Sequence, residues 1–149
     1  MFKKFKGFTL IELLVVIAII GALSAIGVVA YSGYTEGAKL KSARSMMMQI
    51  GLAQTEEYSN YGDYYTTHTS SECEPDDGST ELIGENLFNN ENYIEKELGF
   101  QMCIYPDGRG FKLVAEKTGQ KEKNADGTPA LKCTVELDQN GVITESEGC

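Results

Sequence analysis

Apolar positions run almost unbroken from Phe8 to Tyr34, and after Glu12 no charged side chain occurs until Glu36. A segment greasy on every side is not the amphipathic helix of a small soluble domain. At about 1.5 Å per residue, Leu13 to Thr35 reaches roughly 35 Å as a helix, enough to cross a hydrocarbon core of about 30 Å. The pattern then changes. Ala43, Met46 or Met47, Ile50 and Ala53 recur at three- and four-residue spacing, an apolar stripe, with Glu36, Lys39, Lys41 and Arg44 placed among them as exposed positions. No proline precedes Pro75. One helix of about 50 residues is predicted, roughly 75–80 Å long, with Asn60 and Gly62 as its stop signals. Met46-Met47-Met48 reads as adaptable core filler.

The remaining pattern has a period of two. Phe100–Tyr105 and Phe111–Glu116 flank Pro106-Asp107-Gly108-Arg109-Gly110, and Leu131–Leu137 and Val142–Thr144 flank Asp138-Gln139-Asn140-Gly141. Both read as hairpins, the second on the strength of its Asn-Gly turn. Thr118 to Pro129 is a polar loop between them. Tyr58, Tyr61, Tyr64 and Tyr65 close the helix, as subunit contacts or as core. From there to about Leu98 the chain is acidic and polar, with a short helix expected at Glu91–Leu98. A connection this long is unusual unless ordered or functional. The expected fold is α+β: a long N-terminal α-helix, its first half transmembrane, packed through its second half on a four-stranded antiparallel β-sheet.

Charge at the front gives orientation. Lys3, Lys4 and Lys6 precede the apolar run and hold the N-terminus in the cytoplasm. A secretory signal has an apolar run of about 7–15 residues followed by a cleavage site. Here the run is longer, and the cut falls before it, at Gly7–Phe8. Gly7, Phe8, Thr9, Leu10, Ile11, Glu12, Leu13 and Leu14, followed by Val16-Ile17-Ala18-Ile19-Ile20-Gly21, resemble the class III signal of type IV pilins and type II secretion pseudopilins. The resemblance covers about the first third of the chain.

That resemblance implies a partition into a leader (1–7), a membrane or filament-core helix half (8–35) and an exported domain (36–149). A prepilin peptidase would cut between Gly7 and Phe8 and methylate the new amine of Phe8. Glu12 would set register against the terminal amine of a neighbouring subunit. An acid within a membrane segment is costly without a partner, so this role has a physical basis as well. Relatives often carry a proline where Val29 stands here, so a straighter helix is expected. Ala18, Ala22, Ala25 and Val29 place small residues on one face, suited to close helix packing.

Net charge changes the list of partners. The formal charge is −9, and removing Met1–Gly7 takes away three lysines and no acid, giving −12. No basic patch is visible, so no nucleic-acid partner is expected. The local cluster Lys117, Lys121 and Lys123 is the one place for DNA, with a solvated turn as its plainer reading. Four cysteines, Cys73, Cys103, Cys133 and Cys149, suit an exported domain and match no zinc spacing. Three pairings are open. Cys73–Cys103 with Cys133–Cys149 is favoured, the second resembling the disulfide-bounded C-terminal region of many pilins.

No catalytic set accompanies His68, and no phosphate loop or cofactor motif occurs. Asp126-Gly127 and Asp138-Gln139-Asn140-Gly141 lack the further carboxylates of a calcium loop, and turns are the better reading. The expected function is a structural subunit of a type IV pilus, held in the bacterial inner membrane and then polymerised into an extracellular filament. Its expected partners are copies of itself, the inner membrane, the peptidase and methylase, and the assembly platform. The rivals are a pseudopilin of a type II secretion system, a minor-pilin module binding DNA or another ligand, and, last, an enzyme on a signal anchor.

Overall fold

The computed structural model describes residues 7–120 and 130–149, with the side chains of residues 28–30 and 32 excepted. The chain divides into two compact units, Met1–Ala38 and Lys39–Cys149.

Helix α1 spans Leu10–Tyr61 and is unbroken through position 29. Gly21 and Gly27 are tolerated within it, and no side chain from residue 7 to 27 is buried. Across residues 39–61 one face is buried: Ala43, Met47, Ile50 and Gln54, at four- and three-residue steps. The expected stripe is thus shifted at its end. Ala53 is only half-buried, and Gln54 takes the core position. Met46 and Met47 pack as filler, whereas Met48 faces out. Of the charged positions expected to be exposed, Glu36 and Lys41 are, while Lys39 and Arg44 are half-buried. Arg44 is drawn in by an ion pair with Glu145.

Four strands follow, β1 (Phe100–Asp107), β2 (Gly110–Lys117), β3 (Thr134–Asp138) and β4 (Ile143–Glu145). They form an antiparallel meander in the order β1-β2-β3-β4. The first hairpin pairs through Asp107↔Gly110, so its turn is only Gly108-Arg109. Gly108 has φ 63°, the positive value a II′ turn needs at its first central residue. Strand β3 begins at Thr134 rather than Leu131. The chain there bends to place Cys133 against the C-terminus. Met102, Ile104, Leu113, Ala115, Val135 and Leu137 point to one core with α1. The approach is close enough that a Cβ on Gly51 would lie 3.2 Å from Leu137 Cδ2.

The long connection is ordered by a helix, α2 (Asp77–Phe88), that the sequence pattern does not announce. Asp76 caps it in a reciprocal box with Ser79. Only Ser79, Thr80, Ile83 and Gly84 are buried, so its inner face is narrow and mostly polar. The helix expected at Glu91–Leu98 shrinks to a single 3₁₀ turn, Lys96–Leu98. The polar loop expected at Thr118–Pro129 falls mostly outside the described residues, as do Lys3, Lys4, Lys6, Lys121 and Lys123.

Candidate functional site

The first unit places the predicted processing and register residues together at the start of α1. Gly7, Phe8 and Thr9 lie outside the helix, and the Thr9 carbonyl accepts the first intrahelical bond, from Leu13 N–H, at 3.3 Å. Thr9 is therefore the N-cap. Its backbone N–H and hydroxyl both donate to Glu12 Oε2, at 2.8 and 2.7 Å. Glu12 N–H in return points to Thr9 Oγ1 at 3.3 Å. A threonine and a glutamate three residues apart thus satisfy each other's helix-end groups. The carboxylate also faces the positive end of the helix dipole. The Thr-x-x-Glu spacing was legible in the sequence. Thr9 is the residue that the reading of Glu12 alone overlooked.

Around this carboxylate the surface is apolar. Phe8, Ile11, Val15 and Val16 line an open hollow beside Glu12. Phe8 is 83% exposed, and Leu13, Ile17 and Ile20 are each more than half exposed. Leu10–Gly27 is long and apolar enough to cross a membrane by length and composition. An apolar surface this continuous exceeds what a monomer in water leaves uncovered. Ser24 does not interrupt it, because its hydroxyl donates to Ile20 O at 2.8 Å. Ala18, Ala22 and Ala25 are exposed, and the side chain of Val29 lies outside the described residues.

In the second unit the four cysteines form two disulfides, Cys73–Cys103 and Cys133–Cys149, with Cα–Cα separations of 6.3 and 4.3 Å. The first sits on the free edge of β1, which is otherwise closed by side chains and by the Thr67 backbone. Met102 N–H donates to Thr80 Oγ1 at 2.8 Å, and Met102 O accepts from Ser79 Oγ at 2.8 Å. Ile104 N–H donates to Thr67 Oγ1 at 2.9 Å, and Ile104 O accepts from Thr67 N–H at 2.9 Å. An open strand edge invites pairing with another chain, and here the loop and α2 occupy those positions. The opposite edge, β4, has only three residues.

The remaining chemistry is sparse. His68 is half-buried, with Nδ1 3.0 Å from Thr67 Oγ1. Asp138 accepts from Asn140 N–H at 2.9 Å and from Val142 N–H at 2.8 Å, so its carboxylate is committed to its own turn. Those bonds hold its carboxyl below the usual range. Asp126 lies outside the described residues, as does most of the lysine cluster considered for DNA. Among the described residues no three His, Cys, Asp or Glu side chains gather as a metal site. A cavity of about 510 Å³ between α2 and β1 has an apolar floor, Ile94 and Phe100, and an acidic rim including Asp77, Glu81 and Glu91. Its lining contains no histidine, cysteine or serine.

The family model for the prokaryotic N-terminal methylation motif matches residues 2–28. No curated protein and no solved structure matches the chain. The motif is the class III prepilin signal of type IV pilins and pseudopilins, and it supports a protein of that type, structural rather than enzymatic. Such a signal implies processing by prepilin peptidase and assembly into pilus-like filaments.

Proposed function

We propose that this chain, with its prepilin signal, is a structural subunit of a type IV pilus. It is stored in the bacterial inner membrane through α1 and then polymerised into an extracellular filament. The observation that carries this reading is the methylation motif running into an apolar helical stretch, Leu10–Gly27, with no buried residue and one carboxylate at its mouth. Lipid covers that surface before assembly, and the helices of other copies cover it afterwards. Each buried Leu, Ile or Val contributes about 1.5–3 kcal/mol over exposure to water, which makes either cover strongly favoured.

In this reading residues 1–7 are removed by cleavage at Gly7–Phe8, and the amine of Phe8 is methylated. Residues 8–35 enter the filament core, and residues 36–149 form the exported domain. Glu12 sets the register of each subunit against the Phe8 amine of a neighbour. The closed β1 edge supports assembly through the helix rather than by strand addition.

The test is to shear cell surfaces and compare the parent chain with Glu12→Leu. The parent chain should be recovered in the sheared fraction and the variant retained in membranes. Equal recovery of both would refute the register role. A processed parent chain absent from the sheared fraction would favour the pseudopilin.

A further inference from the structure

The turn between β3 and β4 carries chemistry that its role as a turn does not use. Asn140-Gly141 is the one Asn-Gly pair in the sequence, and both residues are exposed. Glycine puts no side chain beside its amide nitrogen, so that nitrogen can reach the carboxamide before it. In that reaction the Gly141 nitrogen gives up its proton and bonds to Asn140 Cγ. The bond from Cγ to Nδ2 breaks, and Nδ2 leaves as ammonia, carrying that proton. Water then opens the five-membered succinimide at either carbonyl, leaving aspartate or isoaspartate. Water is the only co-reactant.

In the folded turn each participant is held elsewhere. The Gly141 N–H donates to Asp138 O at 3.0 Å. Asn140 Nδ2 donates to Asp138 Oδ2 at 3.2 Å, and the backbone N–H groups of Asn140 and Val142 donate to Oδ1 at 2.9 and 2.8 Å. Gln139 lies over Gly110 and fastens the turn to β2. Asp138 thus holds both the attacking nitrogen and the leaving group. Its negative charge also opposes the anionic nitrogen that must form, since a like charge nearby disfavours ionisation. We infer that Asn140 is a deamidation site whose rate is set by folding, and that Asp138 is the residue that suppresses the reaction while the turn is closed.

Conversion would not be silent. An aspartate at 140 sets a second carboxylate against Asp138 where an amide donor stood, and like charges in contact repel. An isoaspartate routes the main chain through the side-chain methylene and lengthens the turn. Either product weakens the Leu137↔Ile143 register, and with it the Ser146 contacts to Lys132 and Thr134 that seat the C-terminus. The site therefore marks chains that stay open at β4 and spares those that close.

The full chain, held in detergent, would be incubated at mildly alkaline pH. Isoaspartate at residue 140 would be counted by peptide mapping and by enzymatic methylation. Opening the parent chain with guanidinium and a thiol reductant should raise the rate at least roughly tenfold, because the hydrogen bonds of the closed turn are lost. Asp138→Ala under native conditions, with both disulfides intact, should raise it roughly tenfold. Asp138→Asn keeps a side-chain acceptor without the charge, and its rate should fall between. Asn140→Gln should abolish the signal. Gln54→Ala loosens the same unit at its contact with Tyr65 and not in the turn, so it should keep the parent rate. Equal rates in the folded and opened parent would overturn the inference, as would product at another asparagine. So would an Asp138→Ala rate equal to that of the parent or of Gln54→Ala.

Discussion

Gln54 is a fully buried polar residue of the second unit, Lys39–Cys149, and its replacement by alanine is a sharp test of how that unit is closed. The side chain is fully buried on α1. Its Nε2 donates to Tyr65 O at 2.6 Å, and its Oε1 accepts from Tyr65 N–H at 2.9 Å. One carboxamide thus acts as a strand neighbour to Tyr65, four residues past the end of the helix. Gln54→Ala removes two hydrogen bonds of on the order of 1 kcal/mol each and strands two backbone groups, a loss of about 3 kcal/mol. With an m-value of about 1.5 kcal/mol/M, the urea midpoint should fall by about 2 M. The chain has eight tyrosines and no tryptophan, so tyrosine fluorescence of the detergent-held protein reads the transition. Gln54→Glu should cost at least as much at neutral pH, because an oxygen would replace Nε2 opposite the Tyr65 carbonyl. It should recover in part on acidification, when the new carboxyl can donate. A Gln54→Ala midpoint within about 0.3 M of the parent, about 0.5 kcal/mol at that m-value, would refute the role given to this side chain.

Other outcomes follow from the same structure. Breaking Cys133–Cys149 with paired serines should cost about 3 kcal/mol by the chain-entropy model, and breaking Cys73–Cys103 slightly more, since the closed loops span 16 and 30 residues. Both losses would be measured as urea midpoints. Gly84→Ala should destabilise by about 1–3 kcal/mol, because its Cβ would lie 2.5 Å from the Asn90 carbonyl, and backbone cannot step aside as a side chain can. The Ser79 backbone N–H, then its hydroxyl, holds the Asp76 carboxyl below its usual value. Its contribution is therefore present above the ordinary carboxyl range and lost as pH falls through the depressed value. Asp76→Asn should flatten that acid limb in a pH series of thermal melts.

The elements that sequence exposed were those whose signals are local or long. An uncharged apolar run, a stripe at helical spacing and an Asn-Gly turn each have one cheap structural solution. Helix α2 was missed because its inner face is Ser79, Thr80 and Gly84 with a single buried isoleucine, and what orders it is the Met102 backbone on another strand. Gln54 was missed for a related reason. Ala53 fits an apolar stripe better, and only the Tyr65 backbone makes a buried amide favourable. At the N-terminus, attention to the charge of Glu12 hid the Thr-x-x-Glu capping spacing, although both residues stood in view. Strand ends shifted by a few residues where pairing partners, not propensity, decide them, as at Asp107↔Gly110.

The central claim is that this chain is cut, methylated and built into a surface filament. The most direct measurement is the intact mass of the chain in a fraction sheared from the cell surface. The account predicts a mass lacking Met1–Gly7, carrying one added methyl group and short of four hydrogens for the two disulfides. An uncut chain found only in membranes would contradict it and leave a domain on a signal anchor.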